Sequence, residues 1–221
     1  MKALVTGFEP FGGESVNPSS AALAQLRRAL GPLEVATAVL PTAFGRTGVA
    51  LAAALDRHAP DIVLAVGQAG GRSALSLERI AINLLDAGAP DNDGALPVDE
   101  PVVDGGPAAY FTTLPIKAAV AALRHAGLPA TVSLSAGSFV CNQALYLLLH
   151  RAAIGGGFRA GFLHVPYLPQ QAAARAEMPS LALEHVVQGI EIVLAVAAER
   201  AADTWSSPAL AGEGWSGGAA P

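Results

Sequence analysis

Short apolar runs and longer amphipathic segments alternate along the chain. The short runs predict strands at residues 3–6, 35–40, 61–66, 79–84, 131–135 and 161–165. The longer segments, with apolar residues at helical spacing, predict helices at residues 19–30, 45–58, 116–126, 140–153 and 180–199. Strands that alternate with helices form βαβ units, and these build parallel sheets covered on both faces. The pattern therefore predicts an α/β fold with a mostly parallel central sheet.

Two segments depart from this alternation. Residues 86–107, DAGAPDNDGALPVDEPVVDGGP, are dominated by Gly, Pro and Asp, and a loop of that length inside a compact domain is usually functional or disordered. Residues 203–221 have the composition of a flexible end. Since the chain shows neither an internal repeat nor an interdomain linker, we expect one domain over residues 1–202 and a flexible low-complexity tail over residues 203–221.

Composition and charge exclude several classes of protein. The 18 acidic and 13 basic residues give a net charge of −5 without a basic block, which argues against a nucleic-acid partner. Mean hydropathy is +0.44, yet no run of about 18 uninterrupted apolar residues predicts a membrane span. The amino-terminal segment lacks the length and cleavage site of a signal peptide, and a single cysteine cannot form an internal disulfide. These features predict a cytoplasmic protein.

Neither a metal nor a nucleotide cofactor is predicted. The five histidines and one cysteine lack the spacing of zinc ligands. TGFEPFGG, residues 6–13, follows the first strand, but a phosphate-binding Walker loop needs Lys and then Ser or Thr where this chain has Glu14. VGQAGGR, residues 66–72, does not match the dinucleotide pattern either, so both segments are interpreted as tight turns.

Two phenylalanines in the first of these turns suggest a ligand pocket. Phe8 and Phe11 lie among glycines at the carboxyl end of a predicted strand, and we expect both to be exposed. Ligands of open α/β sheets bind at that edge. An apolar pair there is suited to holding a flat ring.

The only cysteine lies at the start of a predicted helix, in SAGSFVCNQALY, residues 135–146. If Ser138 caps the helix, Cys141 falls in its first turn. Unpaired backbone N–H groups and the helix dipole would then favour the thiolate and could stabilise an oxyanion. The alternative is an inert cysteine that packs as a small apolar residue.

A histidine ends the last predicted strand. In FLHVPYLPQQ the strand must stop near Pro166, which puts His164 at its carboxyl end, at the same functional edge. The alternative is a histidine packed in the core. The other four histidines lie in or beside helical patterns and are predicted to be on the surface.

Glu78 is the third candidate, because its position in SLERIAINL predicts that it is buried. It shares the strand alternation of Ile80 and Ile82, and a buried carboxylate requires a hydrogen-bond donor. A histidine would supply that donor. Alternatively, the strand begins after Glu78, or Arg72 or Arg79 pairs with the carboxylate. A cysteine, a histidine and an acid on separate elements can act as nucleophile, base and orienting group of a thiol hydrolase.

The chain also resembles a known family, pyroglutamyl peptidase I or pyrrolidone-carboxylate peptidase, which are cysteine peptidases. The resemblance extends from residue 5 to about residue 200. It rests on VTGFEPFGGESVNPS, GRSALSLERIAINLLD, PDNDG, AYFTTLPIKA, SAGSFVCNQALY and GFLHVPYLPQQ. It implies a three-layer α/β/α sandwich, usually a homotetramer, that removes an N-terminal pyroglutamyl residue from peptides through a thioacyl-enzyme.

The resemblance also assigns roles to individual residues. It implies a catalytic triad of Glu78, Cys141 and His164. It further implies that Phe8 and Phe11 sandwich the pyrrolidone ring. The resemblance also implies that Gln68 lies near the substrate.

One departure from the family pattern keeps other functions open. Family members usually carry Ala-Arg-Ile-Pro-Asp-Asn, with the arginine near the active site, whereas residues 87–92 here are AGAPDN and Gly88 replaces the arginine. One alternative is therefore a weak or inactive protein that binds pyroglutamyl ligands on the same fold. Another is a purine-phosphorylase-like sandwich, which would need a phosphate site of arginines and serines.

Overall fold

The structure, a computed structural model, describes residues 1–200. Its strands are β1 (Lys2–Phe8), β2 (Ala29–Leu30), β3 (Leu33–Leu40), β4 (Ile62–Gln68), β5 (Leu75–Glu78), β6 (Ile80–Ile82), β7 (Ala109–Phe111), β8 (Ala130–Ser133) and β9 (Arg159–Val165). Its α-helices are α1 (Pro18–Leu23), α2 (Phe44–His58), α3 (Ile116–His125), α4 (Val140–Arg151), α5 (Pro169–Ala172) and α6 (Leu183–Glu199). A π-helical turn, Ala152–Gly156, follows α4. The predicted tail lies outside the described residues.

Seven strands form the central sheet in the order β2-β3-β1-β4-β9-β5-β8. The pairs β1–β3, β1–β4, β4–β9 and β5–β8 are parallel, whereas β2–β3 and β5–β9 are antiparallel. β6 and β7 form a separate antiparallel pair. The predicted α/β fold with a mostly parallel sheet is confirmed.

A hydrophobic layer covers each face of the sheet. Side chains of α1, α3 and α6 pack on one face, and those of α2 and α4 pack on the other. Val63 and Ala65 of β4 face the second layer, while Leu64 and Val66 face the first, as strand alternation requires. The three-layer α/β/α arrangement is therefore present. No helix within residues 1–200 has the length and apolar character needed to cross a bilayer.

Two predicted elements are wrong in their extent. The helix expected over residues 19–30 ends at Leu23, and residues 29–30 instead pair with β3 as an antiparallel strand. Gly31, with φ +57°, makes the tight reversal between these two strands. The strand expected over residues 79–84 is shorter than predicted and lies outside the central sheet, since Ile80–Ile82 pair with β7. The preceding residues, Leu75–Glu78, form the strand of the central sheet instead.

The long loop of residues 86–107 is folded against the domain. Asp91 is buried, and its carboxylate accepts hydrogen bonds from the N–H groups of Phe44 (2.7 Å), Asp93 (2.9 Å) and Ala95 (2.8 Å). The first of these bonds caps α2, which has no capping side chain of its own. The loop is thus an ordered part of the framework near the carboxyl end of β1.

Candidate active site

The topology creates a switch point between β1 and β4. From β1 the chain passes through α1 on one face of the sheet to β3, and then through α2 on the other face to β4. The β1–β4 ladder ends at Thr6 and Ala65, although both strands continue for further residues. Such switch points at the carboxyl ends of parallel strands are where ligands bind in open α/β sheets.

Cys141 lies at the second position of α4, as predicted, but Ser138 does not cap the helix. Phe139 occupies the cap position without a side-chain bond, and the Ser138 hydroxyl instead donates to Asp86 O at 2.6 Å. The N–H groups of the first turn of α4 have no intrahelical acceptor, and no side chain among residues 1–200 caps them, so they are available to an anionic group.

The thiol is packed over β4, close to His164. A Cβ at Gly67 would lie 2.8 Å from Cys141 Sγ, so only glycine leaves room for the thiol here. Gly67 is paired with His164 across the β4–β9 ladder, which makes the cysteine and histidine neighbours. Cys141 is partly exposed, and its thiol makes no hydrogen bond within the described residues.

Glu78 and His164 are in direct contact. Glu78 is fully buried, and its Oε1 lies 2.7 Å from His164 Nδ1. The antiparallel β5–β9 register pairs Glu78 with Phe162 and Ser76 with His164, so the carboxylate reaches the imidazole diagonally across two strands. Because an ionised carboxylate only accepts, Nδ1 carries the proton and Nε2 remains a proton acceptor.

Burial and charge leave the cysteine and histidine neutral. Burial raises the pKa of Cys141 to about 12, with the Glu78 charge adding to this and Arg72 opposing it. Burial also lowers the pKa of His164, although Glu78 acts in the opposite direction. The expected thiolate preference at a helix start is therefore outweighed. For Glu78, burial alone would raise the pKa, but the nearby His164, Ser133 and Arg72 lower it overall.

The predicted ring-binding phenylalanines have different surroundings. Phe8 is buried, contrary to expectation, and packs on Phe162 with ring centroids 6.3 Å apart. Phe162 in turn contacts the His164 ring at 4.7 Å, so Phe8 lies behind the histidine rather than on the surface. Phe11 is partly exposed and lies 6.1 Å from Phe139, beside the cysteine.

Gln68 is held away from the thiol. It follows Gly67, so strand alternation directs its side chain to the opposite face of the sheet. There its Oε1 accepts a hydrogen bond from Gln171 Nε2 at 2.9 Å. The structure thus brings Glu78, His164 and Cys141 together, while Gln68 is at the same end of β4 on the other face.

Comparisons with known proteins agree with this architecture. The pyroglutamyl peptidase family model matches residues 1–200. This chain belongs to the pyroglutamyl peptidase family. A pyrrolidone-carboxylate peptidase of Escherichia fergusonii is 52% identical over 195 residues, covering 88% of this chain and 91% of the relative.

Two solved structures extend the comparison to the fold. Pyroglutamyl peptidase I of Bacillus amyloliquefaciens is 45% identical with a TM-score of 0.87, over 90% of this chain and 97% of that one. Pyrrolidone carboxyl peptidase of Pyrococcus furiosus is 44% identical with a TM-score of 0.88, over 90% and 99%. The resemblance seen in the motifs is therefore confirmed at the level of family and fold.

Two residues near the site, Phe139 and Arg72, have contacts that the sequence does not predict. Phe139 bridges Phe11 and Phe44, its ring meeting that of Phe44 edge-on at 5.1 Å. Its place two residues before the cysteine was the available signal. The sequence offers Arg72 only as an alternative partner of Glu78, whereas in the structure Arg72 bonds the carboxylate together with His164.

Proposed function

We propose that this protein is a cysteine peptidase that hydrolyses the bond after an N-terminal pyroglutamyl residue. The observation that carries the proposal is the juxtaposition of Cys141, His164 and Glu78 in a chain matched over residues 1–200 by the pyroglutamyl peptidase family. A nucleophile beside a base that is itself oriented by an acid is the arrangement that thiol hydrolysis requires.

The chemistry begins from a neutral cysteine and histidine. As Cys141 Sγ attacks the exocyclic carbonyl carbon of pyroglutamate, the thiol proton passes to His164 Nε2, and Glu78 stabilises the imidazolium through Nδ1–H. The imidazolium then gives its proton to the departing amine as the C–N bond breaks, leaving a thioester. Water, deprotonated by the same imidazole, attacks the thioester; the C–S bond then breaks, the imidazolium returns the proton to Cys141 Sγ, and pyroglutamate is released. Free N–H groups at the start of α4 are placed to stabilise the oxyanion of each tetrahedral intermediate.

Substrate recognition follows from the chemistry of the pyroglutamyl ring. The ring is an uncharged lactam, so its pocket needs apolar walls and a few hydrogen-bonding groups but no counter-ion for an ammonium group. Three observations bear on the proposed contacts: Phe11 is partly exposed beside Phe139, Phe8 packs on Phe162 next to the histidine ring, and Gln68 ends β4 on the other face of the sheet. We keep all three as proposed substrate contacts.

Three further properties are proposed from the family resemblance and the composition. They are a single peptidase domain over residues 1–202, a homotetramer and a cytoplasmic location. Analytical ultracentrifugation of the full chain tests the assembly, and a dimer or monomer at micromolar concentration would contradict it.

The decisive experiment measures release of a fluorescent amine from pyroglutamyl, prolyl and alanyl amides by the wild type, Cys141→Ala and Cys141→Ser. We expect turnover of the pyroglutamyl amide alone, and its loss in both variants. Turnover that persists in Cys141→Ala would refute the mechanism. A folded wild type that binds pyroglutamyl peptides without cleaving them would favour the binding-protein alternative, which rests on the replacement of the family's arginine by Gly88.

A further inference from the structure

Arg72 connects the acid of the site to the segment that precedes the cysteine. It lies in the turn after β4, and its side chain is 31% exposed. One guanidinium nitrogen donates to Glu78 Oε1 at 2.7 Å, and the other terminal nitrogen donates to Ser135 O at 3.1 Å. Ser135 belongs to the short segment between β8 and α4, so a single side chain spans from Glu78 toward the start of the helix that carries Cys141.

The contact with Glu78 uses the oxygen that also holds the histidine. His164 Nδ1 and Arg72 both lie 2.7 Å from Oε1, whereas Oε2 is buried and has no hydrogen-bond partner among residues 1–200. A carboxylate held by one donor could rotate and exchange its oxygens. Two donors from different directions on one oxygen fix its orientation, and a planar guanidinium fork is well suited to this task.

Arg72 also balances the charge that Glu78 places at the site. Glu78 and Arg72 are the charged groups that act on His164 and on Cys141 within the described chain. The Arg72 charge lowers the pKa of the histidine, the cysteine and the carboxylate, opposing the effect of Glu78 on the first two. Loss of Arg72 would therefore leave the Glu78 charge less compensated and raise the pKa of His164.

We propose that Arg72 is a positioning residue for the peptidase reaction. It fixes the orientation of His164 through Oε1 of Glu78, and through Ser135 O it fixes the segment that leads into the helix of Cys141. This inference rests on the proposed function. In this role Arg72 acts through these other groups.

The test compares Arg72→Gln and Arg72→Lys with Arg79→Gln. Arg79 is adjacent to Glu78 in sequence, but its side chain forms no ion pair within residues 1–200, so its variant removes the same charge without the contact. We expect Arg72→Gln to lose roughly 100-fold in kcat, the cost of a misplaced catalytic group, with KM changed less than about threefold. The acid limb of its kcat/KM profile should move to higher pH. Arg72→Lys should restore the position of that limb but not the full kcat, because an ammonium cannot reproduce the two-pronged contact.

A chemical-rescue experiment separates positioning from a folding defect. The guanidinium lies beside an open depression of about 390 Å³ that Ser73, Ser76 and Ser133 help to line. Added guanidinium chloride at low millimolar concentration should therefore raise kcat of Arg72→Ala, whereas the same concentration of sodium chloride should not. Circular dichroism checks that each variant is folded.

Alkylation of Cys141 by iodoacetamide, followed against pH, gives a readout that does not depend on peptidase activity. A changed profile in Arg72→Gln, with a wild-type profile in Arg79→Gln, supports the inference even if no pyroglutamyl amide is cleaved. An inactive wild type would refute the proposed function alone. Equal kcat, pH limb and alkylation profile in Arg72→Gln and the wild type would overturn the role of Arg72, as would equal losses in the Arg72 and Arg79 variants.

Discussion

Gly67 offers a sharp test of the site, because its missing side chain makes room for the thiol. The perturbation is Gly67→Ala. The added Cβ would lie 2.8 Å from Cys141 Sγ and 2.7 Å from Cζ of Phe162. Ordinary contact begins near 3.4 Å, so both neighbours must move by about 0.6 Å or more. Phe162 is fully buried and packs between Phe8 and His164, which leaves the cysteine as the group with more freedom to shift.

The magnitude follows from that displacement. Overpacking a close-packed interior costs about 1–3 kcal/mol of folding stability. Displacing a nucleophile by close to 1 Å costs on the order of 100-fold in rate, equal to about 2.7 kcal/mol of transition-state stabilisation. We therefore expect a folded variant with kcat/KM reduced roughly 100-fold for the pyroglutamyl amide.

The assay pairs turnover of the fluorogenic amide with urea unfolding. Gly45→Ala is the matched control, since Gly45 lies in the first turn of α2, a Cβ there meets no atom within 4 Å, and alanine is favoured over glycine in a helix. The control should keep its activity and gain up to about 1 kcal/mol of stability. Wild-type kcat/KM in folded Gly67→Ala would refute the argument that Cys141 Sγ reacts from its position over Gly67.

Three other predictions concern stability, the substituted arginine and pH. Thr6→Val removes a buried hydroxyl that has no hydrogen-bond partner among residues 1–200, and it should raise the free energy of urea unfolding by about 1 kcal/mol. A lower free energy of unfolding would show that the hydroxyl forms a hydrogen bond in solution. In Gly88→Arg the new side chain would start in open space, so the free energy of unfolding should change by less than about 0.5 kcal/mol, while kcat/KM should rise up to tenfold. An unchanged kcat/KM would mean that another group supplies the role of the family's arginine. As the pH falls below 6.5, His164 becomes protonated in the unfolded chain but stays neutral in the folded protein, where burial lowers its pKa, so the free energy of unfolding should fall. Below pH 4.5 the lowered pKa of Glu78 adds a second loss. His164→Gln should flatten the first decline in urea titrations, and an unchanged slope would contradict this account.

The strands that build the parallel core could be predicted because their apolar character is continuous. β1, β3, β4 and β9 coincide with predicted runs to within a few residues. The strand predicted over residues 79–84 covers β6 but leaves out β5. Alternation continues across Arg79, and only the choice of pairing partners divides the two strands. The burial predicted for Glu78 is confirmed, but its strand is not the predicted one. Glu78 belongs to β5, where its side chain points to the face of the sheet opposite to that of Leu75 and Leu77, and it is not in one strand with Ile80.

The positions of the candidate residues on their elements could be predicted, but their contacts could not. A cysteine at a helix start and a histidine at a strand end follow from local patterns. That Glu78 Oε1 holds His164 and Arg72 at once required the antiparallel β5–β9 register, which local patterns do not encode. The sequence presented these partners as alternatives, whereas the fold uses both. The burial of Phe8 likewise depends on Phe162, far away in the chain.

The contacts that close the site have consequences for the order of events during folding. Ser138 bonds Asp86 across 52 residues of chain, Asn92 bonds Pro10 across 82, and His164 meets Glu78 across 86. Closing such long loops costs entropy before it brings any stabilising contact, so these pairings form slowly compared with the local helices. In refolding from urea, helical circular dichroism should therefore return before enzymatic activity does. Regained turnover would mark the last cooperative step, and a partially folded chain would carry every catalytic side chain without a catalytic site.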